Sequence, residues 1–173
     1  MNSDRKCAVV GIDVGTSGVR GVAVSPAGEL LAEADEKLRQ DHRAPGGIHE
    51  QEPHEWWQAV CSVCRMVVNR LKEKPGDAAL RGVAITSTSG SLVLADAEGH
   101  ALRPAILYDD GRGVEIAEKL NKQGGVRTIH LGPSFSLVKA VWVREKEPAS
   151  EEPARRRPFW FPPGGSWLFR PPA

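Results

Sequence analysis

Residues Val9 to Val24 read VVGIDVGTSGVRGVAV. Two apolar runs flank a turn built from Asp13, Gly15, Thr16, Ser17 and Gly18. An Asn-Gly pair would join two strands with fewer residues, so this composition asks for a chemical reason. Glycine at 15 and 18 is expected to allow positive φ and to let a ligand approach the main chain closely. Successive N–H groups in such a turn make an anion-binding concavity. Thr16 and Ser17 can donate to phosphate oxygens, and Asp13 is the hard oxygen ligand that Mg²⁺ prefers. The chemistry suggested is the handling of a polyphosphate and its metal, the alternative being a glycine-rich hairpin with a capping aspartate. A strand follows the turn, so it is neither a Walker P-loop nor a dinucleotide fingerprint.

A second cluster lies in AITSTSGSLVLAD, Ala84 to Asp96. A strand ends there in Thr86, Ser87, Thr88 and Ser89, followed by Gly90. Hydroxyls that both donate and accept suit a polyol ligand; a plain Ser/Thr/Gly loop would read the same way. The third cluster is LYDDGRG, Leu107 to Gly113. Tyr108 offers a flat wall for a sugar ring. Asp110 and Arg112 can bind substrate or pair with each other and shape the loop, and for Arg112 the structural role is favoured.

These residues need elements to hold them. Lys6 to Asp13 and Val19 to Val24 are β-rich, Ser25 to Glu29 is a Pro/Gly turn, and LLAEADEKL returns as a strand or an early helix. Three strands with short turns predict an antiparallel meander. Asp41 to Glu52 reads as a loop. Pro53 suits the first turn of a helix. After it an apolar stripe runs through Trp57, Val60, Cys61, Cys64, Val67, Val68 and Leu71, opposite Gln58, Ser62, Arg65, Asn69 and Arg70. KPGD (Lys74 to Asp77) ends that helix. Leu80 to Thr86 reads as a buried strand, SLVLAD and ALRPAIL as a hairpin, and Val114 to Leu120 and Ser136 to Arg144 as helices. The order describes a mixed α/β domain rather than a doubly wound parallel sheet. Glu147 to Ala173 holds seven of thirteen prolines and five of ten aromatics, which excludes a helix or central strand there.

Composition narrows the class. With 23 basic and 22 acidic residues the net charge is +1, so no electrostatic case exists for nucleic acid or an acidic membrane surface. No apolar run is long enough to span a bilayer, and MNSDRKCAVVGIDVG lacks a signal peptide's apolar core. Three cysteines without framework spacing fit a reducing compartment, and a cytoplasmic protein is expected. Cys61 and Cys64 have redox spacing but share the helix's apolar stripe, so packing is the stronger reading; Trp57 is likewise read as core. The five histidines show no metal-ligand spacing.

Four segments, GIDVGTSGVRGVAV, HEQEPHEWWQAV, GVAITSTSGSLVLADAEGHALRPAILYDDGRG and GPSFSLVKAVWVREKEP, resemble the FGGY carbohydrate kinases in order and spacing. The resemblance covers about residues 7 to 147. It implies a ribonuclease H-like, actin-like ATPase fold and the ATP-dependent phosphorylation of a ketopentose or related sugar, with Mg²⁺. Residues 1–146 would form the N-terminal sugar-binding domain, and 147–173 an irregular Pro- and aromatic-rich tail. By the resemblance Asp13 handles the metal, Gly15, Thr16 and Ser17 the phosphates, and Ser89, Tyr108 and Asp110 the sugar. STSG at Ser87 to Gly90 is similar to ribulose kinases, where the better-known xylulokinases carry Gln-Met-His-Gly. Family members read Trp-Asn-Asp at 108 to 110, so the first two positions are substituted here.

FGGY kinases are much longer, and the aspartate that deprotonates the sugar hydroxyl, like the adenosine-binding segment, is expected beyond residue 173. No catalytic residue is therefore assigned, Asp41, Asp109 and Asp110 matching no base motif, and little activity is expected from this chain alone. The alternatives are a non-catalytic sugar- or partner-binding domain of the same fold, or an actin-like ATPase fragment. A face left uncovered by an absent lobe is expected to drive homo-oligomer formation, and Asp13 is expected to face an open groove shared with the Ser/Thr run.

Overall fold

A computed structural model describes residues 7–38, 42–73, 79–96, 98–123 and 130–148. In chain order its elements are β1 (Cys7–Val14), β2 (Gly18–Val24), β3 (Leu30–Lys37), β4 (His42–Ala44), β5 (Ile48–Gln51), α1 (Pro53–Lys72), β6 (Ala79–Ser87), β7 (Ala105–Ile106), α2 (Val114–Lys122) and α3 (Ser136–Lys146). They fall into two compact units. The first holds the described residues up to 38 and from 54 to 88, the second those from 42 to 53 and from 89 to 148.

In the first unit the predicted meander is present. β1 pairs antiparallel with β2, and β2 with β3. β6 then adds parallel to β1, giving the order β3-β2-β1-β6. Alternation along β1 sends Ala8, Val10 and Ile12 into a core shared with Val19, Ala23 and α1.

The face that α1 presents differs from the predicted stripe. Its buried residues are Ala59, Val63, Val67 and Leu71, one ridge at four-residue spacing. Trp57 is turned out, 64% exposed, and is not a core residue. The reason lies on the sheet. A Cβ at Gly21 would sit 2.5 Å from Val63 Cγ1, 3.0 Å from Ile12 Cδ1 and 3.2 Å from Val67 Cγ2. The bare backbone of β2 thus admits Val63 and Val67, and the helix rotates to use that opening.

Two further expectations are corrected. Asp41 to Glu52 is not a loop throughout: β4 and β5 form a hairpin across Gly46 and Gly47, both at positive φ (85° and 78°). β6 is not buried: it ends the sheet among the described residues, and Leu80, Val83 and Ile85 are exposed. Val83 and Ile85 face the same side as their partners Val10 and Ile12, but the buried ridge of α1 covers β1 and β2 instead.

The second unit packs α2 and α3 together through Ile116, Ala117 and Val138. Leu92, Ile106 and Val143 form a neighbouring cluster. The predicted hairpin of SLVLAD and ALRPAIL is reduced to bridges at Leu92↔Ile106 and Ala95↔Ala101, while β7 pairs with β5. The predicted tail lies outside the described residues, apart from Glu147 and Pro148.

The fit at Gly21 generates a test. Gly21→Ala is expected to lower stability by about 1–3 kcal/mol, measured by denaturant unfolding, because Val63 and Val67 must retreat to make room. An unchanged or raised midpoint would show that the helix is not seated there.

Candidate functional site

Asp13 stands one residue before the end of β1. The parallel register sets it beside Thr86 of β6, and the antiparallel register beside Arg20 of β2. Residues opposite one another in register share a sheet face, so carboxylate, hydroxyl and guanidinium belong to one row. The ends of β1 and β6 are tied together, Thr88 N donating to Val14 O at 3.2 Å. Beyond them opens a cleft of about 600 Å³ lined by Asp13, the segments 15–20 and 35–37, Ser87 and Thr88, so that Asp35 and Glu36 share it with Arg20 and Lys37. Asp13 is exposed to this opening, as the sequence requires, and the Ser/Thr run shares it.

The turn itself works by closeness rather than by handedness. Neither Gly15 nor Gly18 has positive φ, contrary to expectation. Gly15 N donates to Gly18 O at 2.9 Å, closing the turn. A Cβ at Gly18 would lie 2.6 Å from the carbonyl oxygen of Glu36, so only glycine passes there. Arg20 and Lys37 were not singled out from sequence; the strand register brings both to the cleft. Arg20 also stands opposite Asp35 in register. With Asp13, Asp35 and Glu36 against Arg20 and Lys37 the lining is net acidic, a composition that suits a polyphosphate carried with its metal cation rather than a bare anion. Among the described residues no group of three or more His, Cys, Asp or Glu could hold a metal alone, so an ion here would draw its remaining ligands from water and phosphate.

The second unit holds Ser89, Tyr108 and Asp110. Gly90 has φ +80°, and a Cβ on it would meet Ser134 O at 2.8 Å and Tyr108 Cβ at 3.3 Å. Ser89 and Tyr108, both exposed, are thereby brought to one place. Asp110 is not exposed to a ligand. It is 1% exposed, and it accepts from His49 N at 2.7 Å, Arg112 N at 3.0 Å, and Arg112 Nε and Nη2 at 2.8 Å each. Of the two alternatives the sequence left open, substrate contact or pairing with Arg112, the geometry realises the pairing.

Arg112 is held in turn by Glu50 at 2.7 Å, and its guanidinium carbon lies 4.9 Å from the centroid of a Trp142 ring. Burial alone would raise the Asp110 carboxyl, yet the Arg112 guanidinium and the His49 and Arg112 backbone N–H groups hold it below its ordinary 3.8. His49, which the sequence left among scattered histidines, is buried with Nδ1 2.5 Å from Asp109 Oδ1. Arg43 reaches the other Asp109 oxygen at 3.4 Å. Lys139, also missed, is fully buried on α3. A lysine inside the apolar run SLVKAVWV was the available signal for it.

Residues 8–168 match the FGGY family of carbohydrate kinases, N-terminal domain. The xylulose kinase of Escherichia coli is 35% identical over 147 residues, covering 80% of this chain and 28% of that protein. A glycerol kinase of Xanthobacter autotrophicus is 30% identical over 166 residues, covering 92% of this chain and 33% of that protein. A xylulose kinase from Brucella ovis superposes with a TM-score of 0.74 at 29% identity, over 83% of this chain and 30% of that one. The chain thus spans about 28 to 33% of the length of the curated relatives it matches. The fold is the ribonuclease H-like, actin-like ATPase fold.

Asp110 supplies the prediction here. A carboxyl held below its ordinary value stabilises the fold above that value, and the contribution is lost as pH falls through the folded value. Asp110→Asn is expected to cost about 3–5 kcal/mol at neutral pH, since it strips a buried pair of one partner. The variant should also show a shallower loss of stability below about pH 4, read from melts across an acid series. A variant as stable as the parent would overturn this account of the loop.

Proposed function

Because this chain belongs to the FGGY family of carbohydrate kinases and carries that family's N-terminal domain, we propose that it supplies the phosphate and sugar surfaces of an ATP-dependent ketopentose kinase. The observation that supports this most directly is the cleft lined by Asp13, Thr16, Ser17, Arg20, Asp35, Glu36, Lys37, Ser87 and Thr88. Magnesium, when bound with the nucleotide, neutralises charge on the transferring phosphoryl group. Asp13 would hold that ion, and Thr16 and Ser17 would donate to phosphate oxygens beside Gly15, whose own N–H closes the turn onto Gly18 O. Arg20 and Lys37 would face the phosphates alongside Asp35 and Glu36. In the second unit Ser89 hydrogen-bonds a sugar hydroxyl and Tyr108 packs against the sugar ring. Asp110 acts by fixing their loop. Residues 1–146 form this working domain, acting in the cytoplasm.

No residue here is assigned as the base that takes the proton from the sugar hydroxyl. The 173 residues by themselves are accordingly proposed to bind ligands with little turnover. Isothermal titration should detect ribulose or xylulose, and separately magnesium pyrophosphate. Asp13→Asn should weaken the second by about tenfold, or 1.4 kcal/mol, without changing the first. Binding of neither ligand would defeat the assignment. Turnover near about ten per second in an ADP-release assay would show that the chain carries a base after all.

The strand β6 supports one more element of the proposal, self-association. It leaves Leu80, Val83 and Ile85 at 45, 54 and 55% exposure on the sheet's last strand among the described residues, a ready template for another strand. Sedimentation velocity should show mass rising with concentration, and Val83→Lys should suppress the rise. A monomer at every concentration would remove this element.

A further inference from the structure

Lys139 is among the largest fully buried side chains, at 0% exposure. Its Nζ donates to Gly90 O at 2.6 Å, Ser134 O at 3.0 Å and Tyr108 O at 3.3 Å. An ammonium has three N–H donors and no acceptor; here three backbone carbonyls take all three. The carbonyls belong to segments 49, 31 and 5 residues away in sequence. Methionine would fill the same space with less desolvation, so packing does not explain a charge at this point. Among the described residues no carboxylate pairs with it directly, and the carbonyl dipoles carry the compensation.

Two of the carbonyls sit where ligand contacts were read. Gly90 follows Ser89, and its backbone leaves no room for a Cβ against Ser134 O and Tyr108 Cβ. Tyr108 presents its ring while its own carbonyl turns to Nζ. We infer that Lys139 is a positioning residue for the sugar: by drawing the Gly90 and Tyr108 carbonyls onto one ammonium, it fixes the spacing of Ser89 and Tyr108. The inference rests on the reading of those two residues as sugar contacts.

Charge state matters to such a clamp. Burial lowers the Lys139 ammonium from 10.5 to about 8; the attraction of Asp110 and Asp109 opposes this and the repulsion of Arg112 adds to it. Losing the proton removes one of three donors and leaves a lone pair facing a carbonyl. The effect on folding has the opposite sign. Between about 8 and 10.5 the unfolded chain holds a proton that the folded chain lacks, so this group's contribution to stability rises with pH. Sugar affinity should therefore fall as pH passes 8 while stability does not fall with it, a combination that a merely structural lysine would not produce.

The chain contains one tyrosine, so [1-¹³C]tyrosine marks the Tyr108 carbonyl alone. In the wild-type chain this resonance should move in one step centred near pH 8, an experiment that needs no variant. In Lys139→Met it should be displaced and flat over the same range. Affinity for ribulose or xylulose should drop at least about tenfold, with melting still cooperative, and Lys139→Arg should restore part of it. A Tyr108 carbonyl that neither titrates nor responds to Lys139→Met overturns the clamp, as does unchanged sugar affinity once that carbonyl has moved. A wild-type chain whose carbonyl titrates but which binds neither sugar defeats the sugar reading and keeps the clamp.

Discussion

β1 pairs antiparallel with β2 along one edge and parallel with β6 along the other. That double pairing lets a single carboxylate near the strand's end, Asp13, stand in one row with Arg20 and Thr86. The parallel pairing also carries the hydroxyl run to the same end of the sheet as the glycine turn, where ligands of α/β sheets gather. The turn can then be short only because Gly18 lets the Glu36 carbonyl pass. If β6 paired antiparallel instead, Ser87 and Thr88 would lie at the far end of β1.

The second unit solves a different problem. Its exposed Ser89 and Tyr108 sit on segments with almost no regular secondary structure, β7 being two residues long. Such segments cannot satisfy their backbone groups through a sheet ladder or helix, and unpaired buried groups are costly. Side chains take over that role. Asp110 gathers the N–H groups of His49 and Arg112, Lys139 gathers three carbonyls, and Asn121 both donates to and accepts from the backbone of Leu131. The buried ionic groups therefore act as organisers of loops, and their value lies in geometry more than in net stability.

The two substituted positions before Asp110 fit this view. The family resemblance leads one to expect Trp-Asn there, and this chain has Tyr108 and Asp109. Asp109 is answered by His49 and Arg43, so the added charge has partners on the β4–β5 hairpin. The ring at 108 remains exposed beside Gly90.

Local sequence was sufficient wherever a local rule decides the outcome. Alternation in VVGIDV and GVRGVAV made strands, Pro53 opened a helix, and the unusual turn around Asp13, Thr16 and Ser17 opens onto a cleft. The four motifs carried the family. Other features depend on what a residue meets, which periodicity does not contain. α1 is apolar around much of its circumference, so only the gap at Gly21 selects Val63 and Val67 and turns Trp57 outward. β6 reads as buried by composition yet has no strand beyond it among the described residues. The sequence left Asp110 open between substrate and Arg112, and the apolar run around Lys139 does not say what its ammonium meets. Tertiary contact alone puts them inside, because the donors and acceptors that make burial tolerable come from segments far away in the chain.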